Sequence, residues 1–201
     1  MLGDSITWGL EPICEHDRYE HPYVHLAKRI VKPIFGKGCK DAFDISKALP
    51  QYNFIVMGYP DARSDQMGLD TRSWGKNQDH VAQAMALSPD VIVLLVGTND
   101  IKQAVGIPTI LKNIESIKDR IGNSKIKLLL ANVPLGKGLD SSEVVDLNSR
   151  SGATIDYFST LQDHGVQNKT FYHPDGIHPN TLGYEAMLPA LRAALHKELN
   201  P

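Results

Sequence analysis

Val91-Ile92-Val93-Leu94-Leu95-Val96-Gly97-Thr98-Asn99-Asp100 is the stretch whose reading decides the fold. Its six leading residues form the longest apolar run in the chain. That is far below the roughly 18 residues needed to span a bilayer, and it is the size of a strand. Near-continuous apolar character is expected of a parallel strand covered on both faces. Residues 126–133 (IKLLLANV) repeat the pattern, residues 53–57 (NFIVM) give a shorter version, and residues 169–172 (KTFY) a fainter one.

Helical periods lie between these runs. Ile107, Ile110, Leu111, Ile114, Ile117 and Ile121 recur at three- and four-residue steps, with Pro108 suited to a first turn and Gly122 to a stop. Residues 23–34, 78–87 and 142–164 also read as helical, the last interrupted at Ser151-Gly152. Near the end Leu188, Leu191, Leu195 and Leu199 share a face, and Pro189 is expected to kink or shorten that helix. Strand and helix in alternation predict an α/β fold, a parallel sheet with right-handed crossovers and helices on both faces. Such sheets bind ligands beyond the carboxyl ends of their strands. That rule gathers Ser5, Gly58, Asn99 and the loop after Tyr172 at one rim.

Composition narrows the class. A chain of 201 residues, 42% hydrophobic and 22% charged, suits one soluble domain over residues 1–201, and no repeat or linker divides it. A net charge of −2 gives no attraction to nucleic acid or to an anionic membrane. Cys14 and Cys39 are too few for a disulfide scaffold, although one bridge stays open. Asn168-Lys169-Thr170 fits a glycosylation sequon, which alone argues little. No signal peptide is visible, which favours the cytoplasm. Only Met1 and Leu2 precede Gly3-Asp4-Ser5, so either the first strand is very short or residues upstream of Met1 are missing from this sequence.

Four short blocks carry chemistry. In Gly3-Asp4-Ser5-Ile6-Thr7, a serine on a strand-to-helix turn is exposed, and a base that takes its proton makes it a nucleophile. The bland reading is a plain helix cap. In Asp175-Gly176-Ile177-His178-Pro179, a histidine could be that base and a carboxylate three residues earlier could fix its tautomer. Gly176 permits the tight turn and Pro179 stiffens its exit. Taken alone this is more often a surface turn. Asn99 in Gly97-Thr98-Asn99-Asp100 could donate its amide to an oxyanion, or simply cap the next helix. Gly58 could offer an unobstructed backbone N–H to the same oxyanion, or merely end a strand. The four blocks fall at matching strand ends, and in combination they are specific.

In these four blocks the sequence resembles the SGNH hydrolase superfamily, the GDSL-type lipases and acylhydrolases, from Gly3 to Pro179. The resemblance implies a flavodoxin-like sandwich with a five-stranded parallel sheet ordered 2-1-3-4-5, and a carboxylic ester hydrolase that uses no metal or organic cofactor. It implies Ser5 as nucleophile, His178 as general base and then acid, and Asp175 as the group that orients His178. The Ser5 and Gly58 backbone N–H groups and the Asn99 side chain would form the oxyanion hole. The substrate would be a small-molecule ester, an acetylated sugar, a short acyl ester or a thioester. Two departures stand out: the family carries several apolar residues before its first block, and Tyr59-Pro60-Asp61 replaces a glycine- and serine-rich continuation.

Other features compete. Trp8 and Trp74 are candidates to line a substrate pocket, against ordinary packing. His16, His21 and His25 suggest a metal-dependent phosphoesterase only faintly, because no recognised ligand spacing completes them. Gly36-Lys37-Gly38 and Gly136-Lys137-Gly138 lack phosphate-loop spacing and read as loops. The main alternative is a non-catalytic carbohydrate- or acyl-binding module, motivated by a short first strand that would misplace Ser5.

Overall fold

The computed structural model describes residues 1–8, 45–59, 61–71, 77–163 and 166–199. In chain order it contains β1 (Leu2–Gly3), α1 (Ser5–Trp8), α2 (Ile45–Ala48) and β2 (Met57–Gly58), a short 3-10 turn at Asp65–Met67, then α3 (His80–Ala86) and β3 (Val91–Leu95). There follow α4 (Thr98–Lys102), α5 (Ile107–Gly122), β4 (Lys127–Leu130), α6 (Ser141–Arg150) and α7 (Tyr157–Thr160). A small hairpin of β5 (Gln162–Asp163) and β6 (Val166–Gln167), a 3-10 turn at Lys169–Phe171 and α8 (Thr181–Leu199) complete the described chain.

The main sheet is parallel, in the order β2-β1-β3-β4. β1 is as short as expected, yet it lies between two partners: Leu2 pairs with Met57 and Leu94, and Gly3 with Gly58 and Leu95. The fifth strand is reduced to one parallel bridge from Ala131 to Ile155, which continues the order beyond β4. Residues 169–172 do not supply it. The Asn168 side chain accepts the Thr170 N–H at 3.1 Å and turns that segment into 3-10 helix.

Side-chain alternation along β3 divides the core into two layers. Ile92 and Leu94 point to one face, where Val81, Ile110, Ile114, Ile117, Ile121 and Leu147 from α3, α5 and α6 cover them. Val93 and Leu95 point to the other, with Tyr157 of α7 and Tyr184, Met187, Leu191 and Leu195 of α8. The buried Tyr59 ring, just past β2, stacks on His80 with centroids 3.6 Å apart, and His80 Nε2 lies 3.0 Å from Asp70 Oδ2. The ring stack fastens the start of α3 beside the end of β2, and the Asp70 contact ties it to the segment after the 3-10 turn.

Helix boundaries follow local chemistry. Asp79 caps α3 by accepting from Ala82 N, and Asp140 caps α6 by accepting from Ser142 N and Glu143 N. The pattern over residues 142–164 breaks at Ser151-Gly152 as expected and Ile155 fills the gap with its bridge, but the helix that follows stops at Thr160 and Gln162–Asp163 is strand. Pro189 does not end α8, which runs on to Leu199. It lies on the exposed side with Glu185, four residues back, so the carbonyl deprived of a donor faces solvent. The helical pattern at 23–34, the cysteines Cys14 and Cys39, the histidines His16, His21 and His25, the Gly36–Gly38 loop and Trp74 lie outside the described residues.

Candidate active site

The site is built where β1 passes into α1. Gly3 makes this turn possible because a Cβ there would lie 2.2 Å from the Leu95 carbonyl oxygen and 2.3 Å from Thr7 Oγ1. Asp4, fully buried, follows; its Oδ1 accepts the Ile6 N–H at 3.0 Å and fixes the first turn of α1. Ser5 is the first residue of that turn and is 8% exposed.

A second segment meets it from the far end of the chain. Asp175 Oδ1 accepts the N–H groups of Ile177 (2.8 Å) and His178 (3.1 Å), folding the loop on itself. Asp175 Oδ2 lies 2.7 Å from His178 Nδ1, and His178 Nε2 lies 2.9 Å from Ser5 Oγ. Gly176 sits at φ +71°, a conformation that glycine adopts without strain. Partial burial opposes ionisation of Asp175, but bonds from the His178 ring and from the Ile177 and His178 amides outweigh it. Its carboxyl is held below the ordinary range. An ionised Asp175 accepts from Nδ1–H, which leaves Nε2 as an acceptor for the Ser5 hydroxyl. The short first strand, the ground for a non-catalytic reading, therefore does not carry Ser5 out of reach of His178.

Asn99 is 5% exposed in the first turn of α4, and its Nδ2 donates to the Ala62 carbonyl at 3.1 Å. One amide proton is thus committed, and the other is available to a ligand. Asp100 accepts from Ser64 N (2.9 Å) and Ser64 Oγ (2.6 Å), so the segment after β2 is bolted to α4. Gly58 lies level with Gly3 in the sheet. Its neighbours' amides are the ones turned to β1, Met57 N to Met1 O and Tyr59 N to Gly3 O. Alternation therefore turns the Gly58 N–H away from β1. Of the two tryptophan candidates, Trp8 ends α1 with its side chain outside the description, and Trp74 lies outside it altogether.

Two supports escaped sequence reading. The Gly176 carbonyl, between the aspartate and the histidine, accepts from Lys137 N at 2.7 Å and from Gln167 Nε2. The Gly136-Lys137-Gly138 loop is a clamp on Gly176 as well as a connection. Its position after β4 was the available signal, since that end of the sheet carries the rim. Ala62 offered no signal at all.

Asp4 also carries a pH-dependent consequence. Burial raises its pKa from 3.8 to about 7, the nearby Asp100 carboxylate adds to this, and the Ile6 amide and Thr98 hydroxyl offset it in part. Between pH ~4 and ~7 the folded protein keeps a proton that the unfolded chain has released, so stability is lost as pH rises through that window. Asp4→Asn is therefore expected to gain stability over the natural chain on going from pH 4 to pH 8, on the order of 3 kcal/mol. Denaturant titration of both proteins at the two pH values measures it. A difference that stays constant counts against the titration.

Among the described residues no group of three histidine, cysteine or acidic side chains is placed to hold a metal ion, and no helix is long and apolar enough to cross a membrane. The sequence model of the GDSL-like lipase/acylhydrolase family matches residues 1–186. No curated protein matches the chain. Among solved structures it is similar to a lipolytic G-D-S-L family protein from Desulfitobacterium hafniense DCB-2, with a TM-score of 0.69 at 16% identity over 96% of this chain and 97% of that one. It is also similar to a lipase/acylhydrolase from Enterococcus faecalis, with a TM-score of 0.60 at 20% identity over 98% and 93%. A mutant of an acetyl-xylooligosaccharide esterase from Geobacillus Stearmophilus gives 0.58 at 15% identity over 100% and 92%. At these identities the likeness is one of fold.

Proposed function

Since the chain belongs to the GDSL-like lipase/acylhydrolase family, we propose that it is a serine hydrolase that cleaves a carboxylic ester through an acyl-enzyme on Ser5. Residues 1–201 would form one such domain. The observation that carries the reading is the unbroken relay from Asp175 Oδ2 to His178 Nδ1 (2.7 Å) and from His178 Nε2 to Ser5 Oγ (2.9 Å).

In this reading Ser5 Oγ attacks the acyl carbonyl carbon while its proton passes to His178 Nε2, and Asp175 steadies the imidazolium that results. The tetrahedral oxyanion is held by the Ser5 N–H at the start of α1 and the second amide proton of Asn99, while the Gly58 N–H, turned away from β1, is left out of it. His178 then returns the proton to the alkoxide as the C–O bond breaks, and the alcohol leaves. Water repeats the sequence on the acyl-enzyme and releases the carboxylic acid, leaving Ser5 and His178 as they began. No cofactor enters.

Short acyl groups, above all acetyl on a sugar, are the substrates of choice, and the acetyl-xylooligosaccharide esterase of the same fold supports that class. Thioesters and longer esters are the competitors. The test is labelling by a fluorophosphonate probe, with the modified peptide mapped, beside hydrolysis of acetyl, butyryl and longer p-nitrophenyl esters and of acetylated sugars. The expected result is modification at Ser5, fastest turnover on acetyl esters, and no loss of rate after exhaustive chelation. Absence of both labelling and ester turnover overturns the reading.

A further inference from the structure

Ser5 and His178 come from opposite ends of the chain, yet their separation must stay within a few tenths of an ångström for proton transfer. The described part of α1, Ser5–Trp8, is a single turn, and one turn has little stability of its own. Its position is set by what grips it. Three grips converge on Ile6, the residue after the nucleophile. Asp4 Oδ1 accepts its N–H at 3.0 Å, its side chain is buried in the core layer that α8 and the Val93–Leu95 face of β3 share, and its carbonyl accepts the Tyr184 hydroxyl at 3.1 Å.

The third grip differs in kind because of where it comes from. Tyr184 lies in the first turn of α8, six residues after His178, in the segment that carries the base. That segment is internally braced. The His178 carbonyl accepts from His173 N at 3.0 Å, and Asn180 Nδ2 donates to the Thr170 and Tyr172 carbonyls. Asn180 further ties itself to α8, since its Oδ1 accepts Gly183 N and its carbonyl accepts Tyr184 N. His178 and Tyr184 therefore move as one piece. This piece meets α1 at two successive residues, through His178 Nε2 to Ser5 Oγ and through Tyr184 Oη to the Ile6 carbonyl.

We propose that Tyr184 is a positioning residue that sets the Ser5–His178 distance, by hydrogen bonding the base-carrying segment to the carbonyl next to the nucleophile. It touches no reacting atom. Its hydroxyl is a strut that keeps the base from drifting while the Ser5–His178 bond is broken and remade in each turnover. This role rests on the ester-hydrolase reading.

The test is Tyr184→Phe, which removes the hydroxyl and leaves the ring in its buried place. Tyr157→Phe, another buried tyrosine in the same layer, serves as the packing control. Both are measured well below their thermal midpoints. With p-nitrophenyl acetate, kcat of Tyr184→Phe is expected to fall about 5- to 30-fold with KM within about twofold, since small misplacements of reacting groups act on the chemical step. The fluorophosphonate labelling rate should fall in parallel, and Tyr157→Phe should keep both rates. Unchanged kcat and labelling in Tyr184→Phe, a change confined to KM, or an equal fall in Tyr157→Phe each overturn the proposal. If the natural chain itself fails to label at Ser5, the hydrolase reading falls and this role with it. If the natural chain labels and Tyr184→Phe labels as fast, only the strut is lost.

Discussion

Ser5→Ala is expected to lower ester turnover by about 10⁴- to 10⁶-fold, His178→Ala by a similar factor, and the double variant by no more than either alone. The reason lies in the relay itself. Ser5 Oγ is 2.9 Å from His178 Nε2, so the base has no other proton to take once the hydroxyl is gone, and the hydroxyl is a poor nucleophile once the base is gone. Groups that act as a unit do not add. Asp175→Asn should cost less, about 10³- to 10⁴-fold. An asparagine can still accept the Ile177 and His178 amides, but its NH₂ would face Nδ1 and favour the tautomer with the proton on Nε2, the wrong side for Ser5. Steady-state kinetics with p-nitrophenyl acetate on purified folded variants reads all four. Full activity in Ser5→Ala, or a double variant worse by the product of the two singles, would reject the assignment.

Gly3→Ala is expected to be among the most damaging single methyl additions in the described chain, at a cost of at least about 4 kcal/mol of folding free energy. Overpacking a core usually costs less because side chains yield. Here the nearest atom is the backbone oxygen of Leu95 in β3, 2.2 Å from the new carbon, with Thr7 Oγ1 at 2.3 Å. Relief requires parting β1 from β3 in the middle of the sheet, and the β1–α1 turn would move with it. Urea unfolding should show the loss, and a thermal midpoint within a degree or two of the natural chain would contradict it.

The α/β class and the rim that holds the site were legible because β3 and β4 are buried on both faces and so write long apolar runs. The proposed triad could be read as candidates because Ser5 stands in one short block and Asp175 and His178 share another, three residues apart. β2 was misjudged in extent: residues 53–56 are not strand, and pairing begins at Met57, level with Leu2. A two-residue β1 can pair no more than that. Residues 169–172 looked like a strand because Phe171 and Tyr172 are apolar neighbours, but the local bond from Thr170 N to the Asn168 side chain won. The bond from Lys137 to the Gly176 carbonyl left only the loop's position after β4 as a signal, since a backbone amide donates the same bond whatever its side chain, whereas Gln167 donates through its side chain from a distant segment. Ala62 escaped for a similar reason: what Asn99 contacts there is a carbonyl that every residue has.

The order of the sheet also bears on how the protein is made. Leu2 and Gly3 leave the ribosome before both of the strands that flank them, and the second of these, β3, ends at Leu95. At translation speeds of about 5–20 residues per second, the central strand waits roughly 5 to 20 seconds for its second neighbour. Until then the nascent chain exposes an unpaired edge. The segment bearing His178 emerges later still, so a ribosome stalled midway would display an aggregation-prone fragment for chaperones to shield.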